Sequence, residues 1–275
     1  MSWLHTEGGA YWSVFVVAFL GVAVWESIRP RVALSEPVER RWGKHSLLFL
    51  ISFLVSAVLL PASPLLMAAA VSSSRYGLLN KPWLPFATRW ILAVLVLDLT
   101  RYAIHRALHS FYFLWRLHEI HHSDRDFDVS TGARHHPLEG IVVTGATLAT
   151  IAVFAPPVSA VLAAELVSVF ESFFTHANAA LPEWLQRILG LFFFTANTHV
   201  IHHSVDIRMQ NSNYGDIFPW WDRIFGTYLP PLPVGEDQIA MGVAECQSGA
   251  VPGLVSILKQ PFVARQGDPS FTPLA

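Results

Sequence analysis

The sequence predicts an all-α integral membrane protein with about four to five transmembrane helices, and three observations predict it. Only 14% of the 275 residues are charged and 53% are apolar, whereas a soluble domain carries roughly 25% charged residues. The mean hydropathy is +0.42. Several uncharged runs approach or exceed the ~20 residues that a helix needs to cross a bilayer. A formal charge of -2 supplies no basic field for nucleic acid. The single Cys246 excludes an internal disulfide framework and any multi-cysteine zinc or iron–sulfur site.

The first run is uncharged from Gly8 to Trp25. No basic residue precedes it, so it reads as a span and not as a cleavable signal peptide. A loop holding Arg29, Arg31, Arg40, Arg41 and Lys44 follows, and this basic excess places the loop in the cytoplasm. The second run, Ser46 to Val71, is interrupted by Pro61 and Pro64. A third span is expected over 84–104, with Arg89 near its start and Asp98 and Arg101 near its end. From Gly140 to Ala164 the chain is again uncharged, but Pro156 and Pro157 fall in the middle. A proline pair removes helical donors and clashes with the preceding turn, so this stretch divides into helices at 138–155 and 158–175. The second of these carries Glu165 and Glu171 and is expected to be covered by protein on one side. Counting spans places 105–137 and 176–275 on the cytoplasmic side. A compact chain of this kind suggests a bacterial inner membrane.

The chain holds 13 His, and ten of them fall into short groups beside the spans. His105 and His109 are four apart and share a helical face. His118, His121 and His122 follow at i, i+3 and i+4, and the same spacing recurs at His199, His202 and His203. His136 precedes Pro137, and His176 closes the last apolar helix. One histidine at a membrane boundary is ordinarily a hydrogen-bonded structural residue. Ten at ligand spacing are not, because crowded imidazoles cannot all be protonated and neutral ones offer lone pairs that need an acceptor. Ten rings are too many for one ion and suit two ions with about five ligands each. A nitrogen-rich shell fits iron, copper, nickel or catalytic zinc. Iron with dioxygen fits best, since substrates dissolved in lipid present inert C–H bonds.

The run His118-Glu119-Ile120-His121-His122 also satisfies H-E-x-x-H, in which Glu119 would be the general base of a zinc-dependent membrane hydrolase. The group at 199–203 keeps the three histidines and drops the glutamate, so H-x-x-H-H is the shared element. A metal transporter fits poorly, because transport sites lie near the midplane. Asp98 lies seven residues before His105 on the same face and is a candidate to orient a ligand imidazole, with an ion pair to Arg101 as the alternative. Asp124, Asp126 and Asp128 read as a solvated loop. Trp115, Trp184, Trp220 and Trp221 read as interfacial anchors or core. The aromatic stretch 211–228 reads as a packed lid or core segment.

RYAIHRALH (101–109), WRLHEIHHS (115–123), ARHHPLE (133–139), THANAALP (175–182), NTHVIHHS (197–204) and NYGDIFPWWDRIFGTY (213–228) together resemble the membrane-bound fatty acid hydroxylase/sterol desaturase superfamily. The resemblance implies a helical anchor at 1–104, a catalytic region at 105–230 that includes the hairpin 138–175, and a C-terminal tail at 231–275. It implies a cytoplasmic helical cap holding a His-rich dimetal site, with two irons and zinc as a substitute. As ligands it implies His105, His109, His118, His121, His122, His199, His202 and His203, with His136 and His176 completing ten. His5, His45 and His135 are not carried over. Some members have a further histidine where Ser172 stands here. The implied reaction hydroxylates or desaturates a fatty acyl, sterol or related lipid with O2. No G-x-G-x-x-G fingerprint is present, so electrons are expected from a separate ferredoxin- or cytochrome-type protein with its reductase.

Overall fold

A computed structural model describes residues 7–60, 62–231, 239–247 and 252–263. Among the described residues the chain is helical, with two isolated β-bridges, Pro30–Ala179 and Ser204–Met241, and no longer strand. The helices are α1 (Glu7–Ile28), α2 (Val38–Leu59), α3 (Pro64–Val71), α4 (Phe86–Ser110), α5 (Tyr112–His122), α6 (Pro137–Phe154), α7 (Val158–Thr175), α8 (Glu183–Leu189), α9 (Ala196–His202), α10 (Ile207–Gln210), α11 (Trp220–Phe225) and α12 (Leu254–Lys259).

The protein is an integral membrane protein, and among the described residues four stretches are long and apolar enough to cross a bilayer: Gly8–Ile28, Val38–Val71, Pro137–Phe154 and Val158–Thr175. The run expected as one span over 46–71 is divided. α2 ends at Leu59, and α3 starts afresh where Ser63 caps Leu66 N–H with Pro64 at the first helical position. The span expected at 84–104 is the helix α4, but it is not among the four, because Arg89, Asp98, Arg101 and Arg106 lower its hydropathy. It packs against α5, α6 and α7; Asp98 is buried and Arg101 pairs with Glu165 of α7, so these two charges are housed by protein.

The α6–α7 hairpin forms as the proline pair dictates. Ala155 turns the chain in the left-handed region at φ 45°. Pro156 and Pro157 have no N–H to give to the last carbonyls of α6. The 77–79 segment supplies them: Leu78 N–H bonds Val153 O at 3.1 Å and Leu79 N–H bonds Phe154 O at 2.9 Å. That approach requires Gly77, since a Cβ there would sit 2.2 Å from the Cβ of Ala155. Small residues close the remaining distance, with Ala68, Leu97, Ile151, Val161 and Ala164 forming one buried cluster across α3, α4, α6 and α7. A second cluster joins α1 to α7, where Phe15 and Phe19 meet Phe173 edge-on at 4.9 and 5.5 Å.

All histidine groups lie at one end of this bundle. The chain after α1 is tied to the chain after α7 by the bond from Arg31 N–H to Asn178 O, 2.9 Å. At the start of α2, Arg41 donates to Asp124 at 2.7 Å and Asp128 at 2.9 Å. Asp124 and Asp128 are therefore not the solvated loop expected from sequence; with Asp126, whose carboxylate binds Ser35 and Glu36 N–H, they fasten the cap onto α2. The described parts of the 231–275 tail are also built in. Gly242 N–H bonds His203 O at 2.9 Å, and Arg116 donates to the carbonyls of Gln260 and Val263 at 2.5 and 2.7 Å. The remainder of that tail lies outside the described residues.

Candidate metal centre

Helical periodicity sets which imidazoles meet. His105 and His109 project from the last two turns of α4, His118 and His122 from α5, and His202 from α9; their ligand atoms lie within 4.8 Å of one another. His121 of α5, His176 at the end of α7, His199 of α9 and His203 just after α9 form a second group under the same limit. Each H-x-x-H-H run is thus shared between the groups. Its i, i+4 pair enters one group and its middle histidine enters the other. The two groups adjoin, with His122 stacked on His203 at 4.5 Å and 18°.

The outer nitrogens fix the tautomers. His105 Nδ1–H donates to Tyr214 O at 2.8 Å, His202 Nδ1–H to Ser212 O at 2.6 Å, and His176 Nδ1–H to Ser172 O at 2.6 Å. His118 Nδ1–H donates to the Glu139 carboxylate at 2.8 Å. Carbonyl and carboxylate oxygens only accept, so a neutral ring held this way turns a bare Nε2 inward. Those Nε2 atoms then face each other: His105 and His118 at 3.1 Å, His105 and His202 at 3.0 Å, His176 and His199 at 3.1 Å. Lone pairs at that separation repel unless a cation lies among them. Ligands at about 2.1 Å from one ion and at right angles lie about 3 Å apart, so the donor atoms are spaced as the edges of a coordination shell. His109 Nε2, buried with no hydrogen-bond partner among the described residues, is a further unused donor of the first group.

Burial and the neighbouring imidazoles hold His121, His122, His199, His202 and His203 well below the ordinary histidine pKa. Burial brings His176 down to about 3. These six rings are neutral at physiological pH, so their bare nitrogens are available to a metal ion. Nine nitrogens with no carboxylate in either group suit a divalent ion of the iron-to-zinc series and not magnesium or calcium.

The family model described as fatty acid hydroxylase matches residues 90–227, just over half of the chain, and that range includes all nine ligand candidates. The chain belongs to the fatty acid hydroxylase family. It is 29% identical over 185 residues to ornithine lipid hydroxylase OlsE of Rhizobium tropici, covering 66% of this chain and 53% of that protein. It is 31% identical over 156 residues to human alkylglycerol monooxygenase, covering 56% of this chain and 33% of that protein. With sphinganine C4-monooxygenase 2 of Arabidopsis thaliana it shares 33% identity over 155 residues, 52% of this chain and 55% of that protein. The chain therefore spans between a third and just over half of the length of these relatives. No solved structure matches it.

Of the ten ligands expected for this family member, His136 falls outside both groups. Its Nδ1 accepts from Leu138 N–H at 3.1 Å as the cap of α6, and its Nε2 faces Leu258 O at 3.3 Å, so both nitrogens are used. His135 takes the position nearer the centre, stacked on His121 at 4.4 Å and 13°. Ser172 supplies no ligand but orients His176 through its carbonyl. Asp98 was expected behind a ligand imidazole, yet it binds Ile217 N–H, Phe218 N–H and Trp221 Nε1–H. Those bonds hold the segment whose Tyr214 carbonyl receives His105. Arg101 pairs with Glu165 at 2.5 Å and lies 3.5 Å from Asp216, not with Asp98. Glu119 is turned toward Arg116, 3.2 Å away, and belongs to neither histidine group, so the hydrolase pattern has no base at the centre. Trp115 lines the first group, 5.0 Å from His109. Glu139, which receives His118 at 2.8 Å and His135 at 2.9 Å, was not singled out from the sequence. Its signal was present: a carboxylate in the first turn of an otherwise apolar span. His5 lies outside the described residues.

Proposed function

We propose that this chain is a membrane-bound dimetal oxygenase that hydroxylates or desaturates a lipid, with one iron in each histidine group. The observation that carries the reading is the pair of all-imidazole groups whose inward nitrogens face one another at 3.0–3.3 Å, in a member of this family. Bound iron would supply the oxidising chemistry that uses O2 to break a C–H bond. The chain's own residues do the rest. His105, His109, His118, His122 and His202 would hold one ion, and His121, His176, His199 and His203 the other. The carbonyls of Tyr214, Ser212 and Ser172 and the Glu139 carboxylate keep the Nε2 atoms aimed inward as the reaction proceeds. Burial of these rings excludes bulk water, and Trp115 gives the first group an apolar wall. The basic loop after α1 supports placing this end of the bundle in the cytoplasm. There a separate ferredoxin- or cytochrome-type protein would bring electrons, and a fatty acyl, sterol or related lipid would enter from the bilayer. The ornithine lipid hydroxylase, alkylglycerol monooxygenase and sphinganine monooxygenase among its relatives support a lipid substrate.

The test is metal content and turnover together. Protein expressed with added iron and purified anaerobically in mild detergent should carry close to two irons per chain. His122→Ala and His203→Ala should each lower that number and abolish O2-dependent lipid oxidation. Iron-free protein that keeps full lipid oxidation would overturn the reading.

A further inference from the structure

α7 presents a polar stripe to the protein interior. Glu165 pairs with Arg101 at 2.5 Å, Ser168 donates to Asp216 at 2.7 Å, and Thr175 bonds back to the Glu171 carbonyl at 2.7 Å. In the middle of this stripe lies the Glu171 side chain. The residue is 3% exposed, and its Oε2 is buried with no hydrogen-bond partner among the described residues. The charged groups that act on it are Asp216 and Asp98, both acids. Its neighbours have what they need. Asp98 receives three N–H donors, and Glu165 and Asp216 divide the guanidinium of Arg101. Among the described residues, Arg101 serves Glu165 and Asp216, Asp98 has its own donors, and Glu171 Oε2 has none.

Burying a carboxyl group with no partner is costly in either protonation state, because the acid form also carries a hydroxyl that needs an acceptor. Such a site inside a membrane helix is a place for a ligand. The missing elements are a hydrogen-bond donor and a positive charge, and an ammonium group supplies both. Glu171 precedes His176 by five helical positions, about 7.5 Å along the axis. We propose that Glu171 receives the ammonium group of an amine-bearing lipid, holding it between α7 and the Asp98–Asp216 cluster beneath the histidine groups. The substrate class is then an aminolipid, and the oxidised carbon lies within a few bonds of the amine and not far along an acyl chain. This rests on the lipid-oxygenase reading above.

The test compares octadecylamine with octadecanol and N-acetyl-octadecylamine, binding to the iron-loaded full chain in nanodiscs by native mass spectrometry, without turnover. The amine should bind at least about tenfold more tightly than either neutral lipid. Glu171→Gln should bring the three within about twofold while leaving metal content and thermal midpoint unchanged. Equal binding of the three lipids by the unsubstituted chain overturns the proposal, and so does an amine preference that survives Glu171→Gln. If that variant fails to fold, the comparison of the three lipids on the unsubstituted chain decides alone. The oxygenase reading is scored separately by metal content and lipid oxidation. An iron-loaded chain that oxidises octadecanol as readily as octadecylamine keeps that reading and overturns this one.

Discussion

Glu139 offers the sharpest perturbation, because one oxygen of it serves two imidazoles. Oε1 receives His118 Nδ1–H at 2.8 Å and His135 Nδ1–H at 2.9 Å, while Oε2 is buried with no partner among the described residues. Of the two all-histidine groups, His118 belongs to the first. Replacing Glu139 by Leu removes a charge-assisted hydrogen bond worth about 1.5–3 kcal/mol. At about 1.4 kcal/mol per factor of ten, iron at the first group should bind about 10- to 100-fold more weakly, the range measured for residues behind metal ligands. Glu139→Gln keeps an acceptor oxygen and loses only the charge, so its effect should be the smaller, about tenfold. The second group touches Glu139 only through His135, whose ring stacks on His121 at 4.4 Å. Its affinity should change by less than about threefold. Competition with chelators of graded strength, followed by metal analysis, resolves two binding steps and shows which one moves. Equal weakening of both steps, or no weakening of either, would refute the assignment of Glu139 to one ion and with it the division of the histidines.

The other predictions test the frame around the centre. His136→Ala should leave iron content unchanged and cost about 0.5–2 kcal/mol as a lost helix cap; a drop in iron per chain would return His136 to the ligands. Arg41→Ala strands the carboxylates of Asp124 and Asp128 in a buried site. It should cost about 3–5 kcal/mol, lowering the thermal midpoint by on the order of 10 °C, with Arg41→Lys recovering only part because it cannot bridge two carboxylates at once. The pH dependence of the metal-free chain follows from its buried neutral imidazoles. His121, His122, His199, His202 and His203 stay unprotonated in the fold far below their unfolded pKa of about 6.5. The unfolded chain therefore binds more protons in acid, so stability is complete above pH about 6.5 and falls as pH drops toward the His176 value of about 3. Denaturant titrations of metal-free protein at pH 7.5 and 5.5 check the sign; greater stability at pH 5.5 would contradict it.

The parts of the fold legible in the sequence were those set by local periodicity. The i, i+3, i+4 spacing in 118–122 and 199–203 put three rings on one turn, and Pro156 and Pro157 placed the hairpin. What was not legible depends on long-range partners. The sequence HHPLE offers two adjacent histidines, and nothing local says which turns inward. That choice is made by the cap of α6, which engages His136 Nδ1, and by Glu139, which draws His135 toward His118. Asp98 sits at helical spacing from His105, yet its partners are Ile217, Phe218 and Trp221, about 120 residues later in the chain. Asp124 and Asp128 read as hydrophilic loop because their partner, Arg41, is 83 and 87 residues earlier.

The shared H-x-x-H-H runs have a consequence for assembly. His118 and His122 serve the first group while His121 between them serves the second, and α9 reverses the arrangement. Neither group can therefore be completed by one helix, and neither can be lost without disturbing both α5 and α9. The contacts that close the centre are also remote in sequence: His105 meets His202 across 97 positions and His121 meets His176 across 55. Closing loops of that length costs conformational entropy that facing lone pairs do nothing to offset. The Arg41 network, the α6–α7 hairpin and the carbonyls of Ser172, Ser212 and Tyr214 must hold the rings in place before any ion arrives. A bound ion in each group would turn that repulsion into cross-links between α4, α5, α7 and α9, so that metal loading and the stability of the cap are one equilibrium.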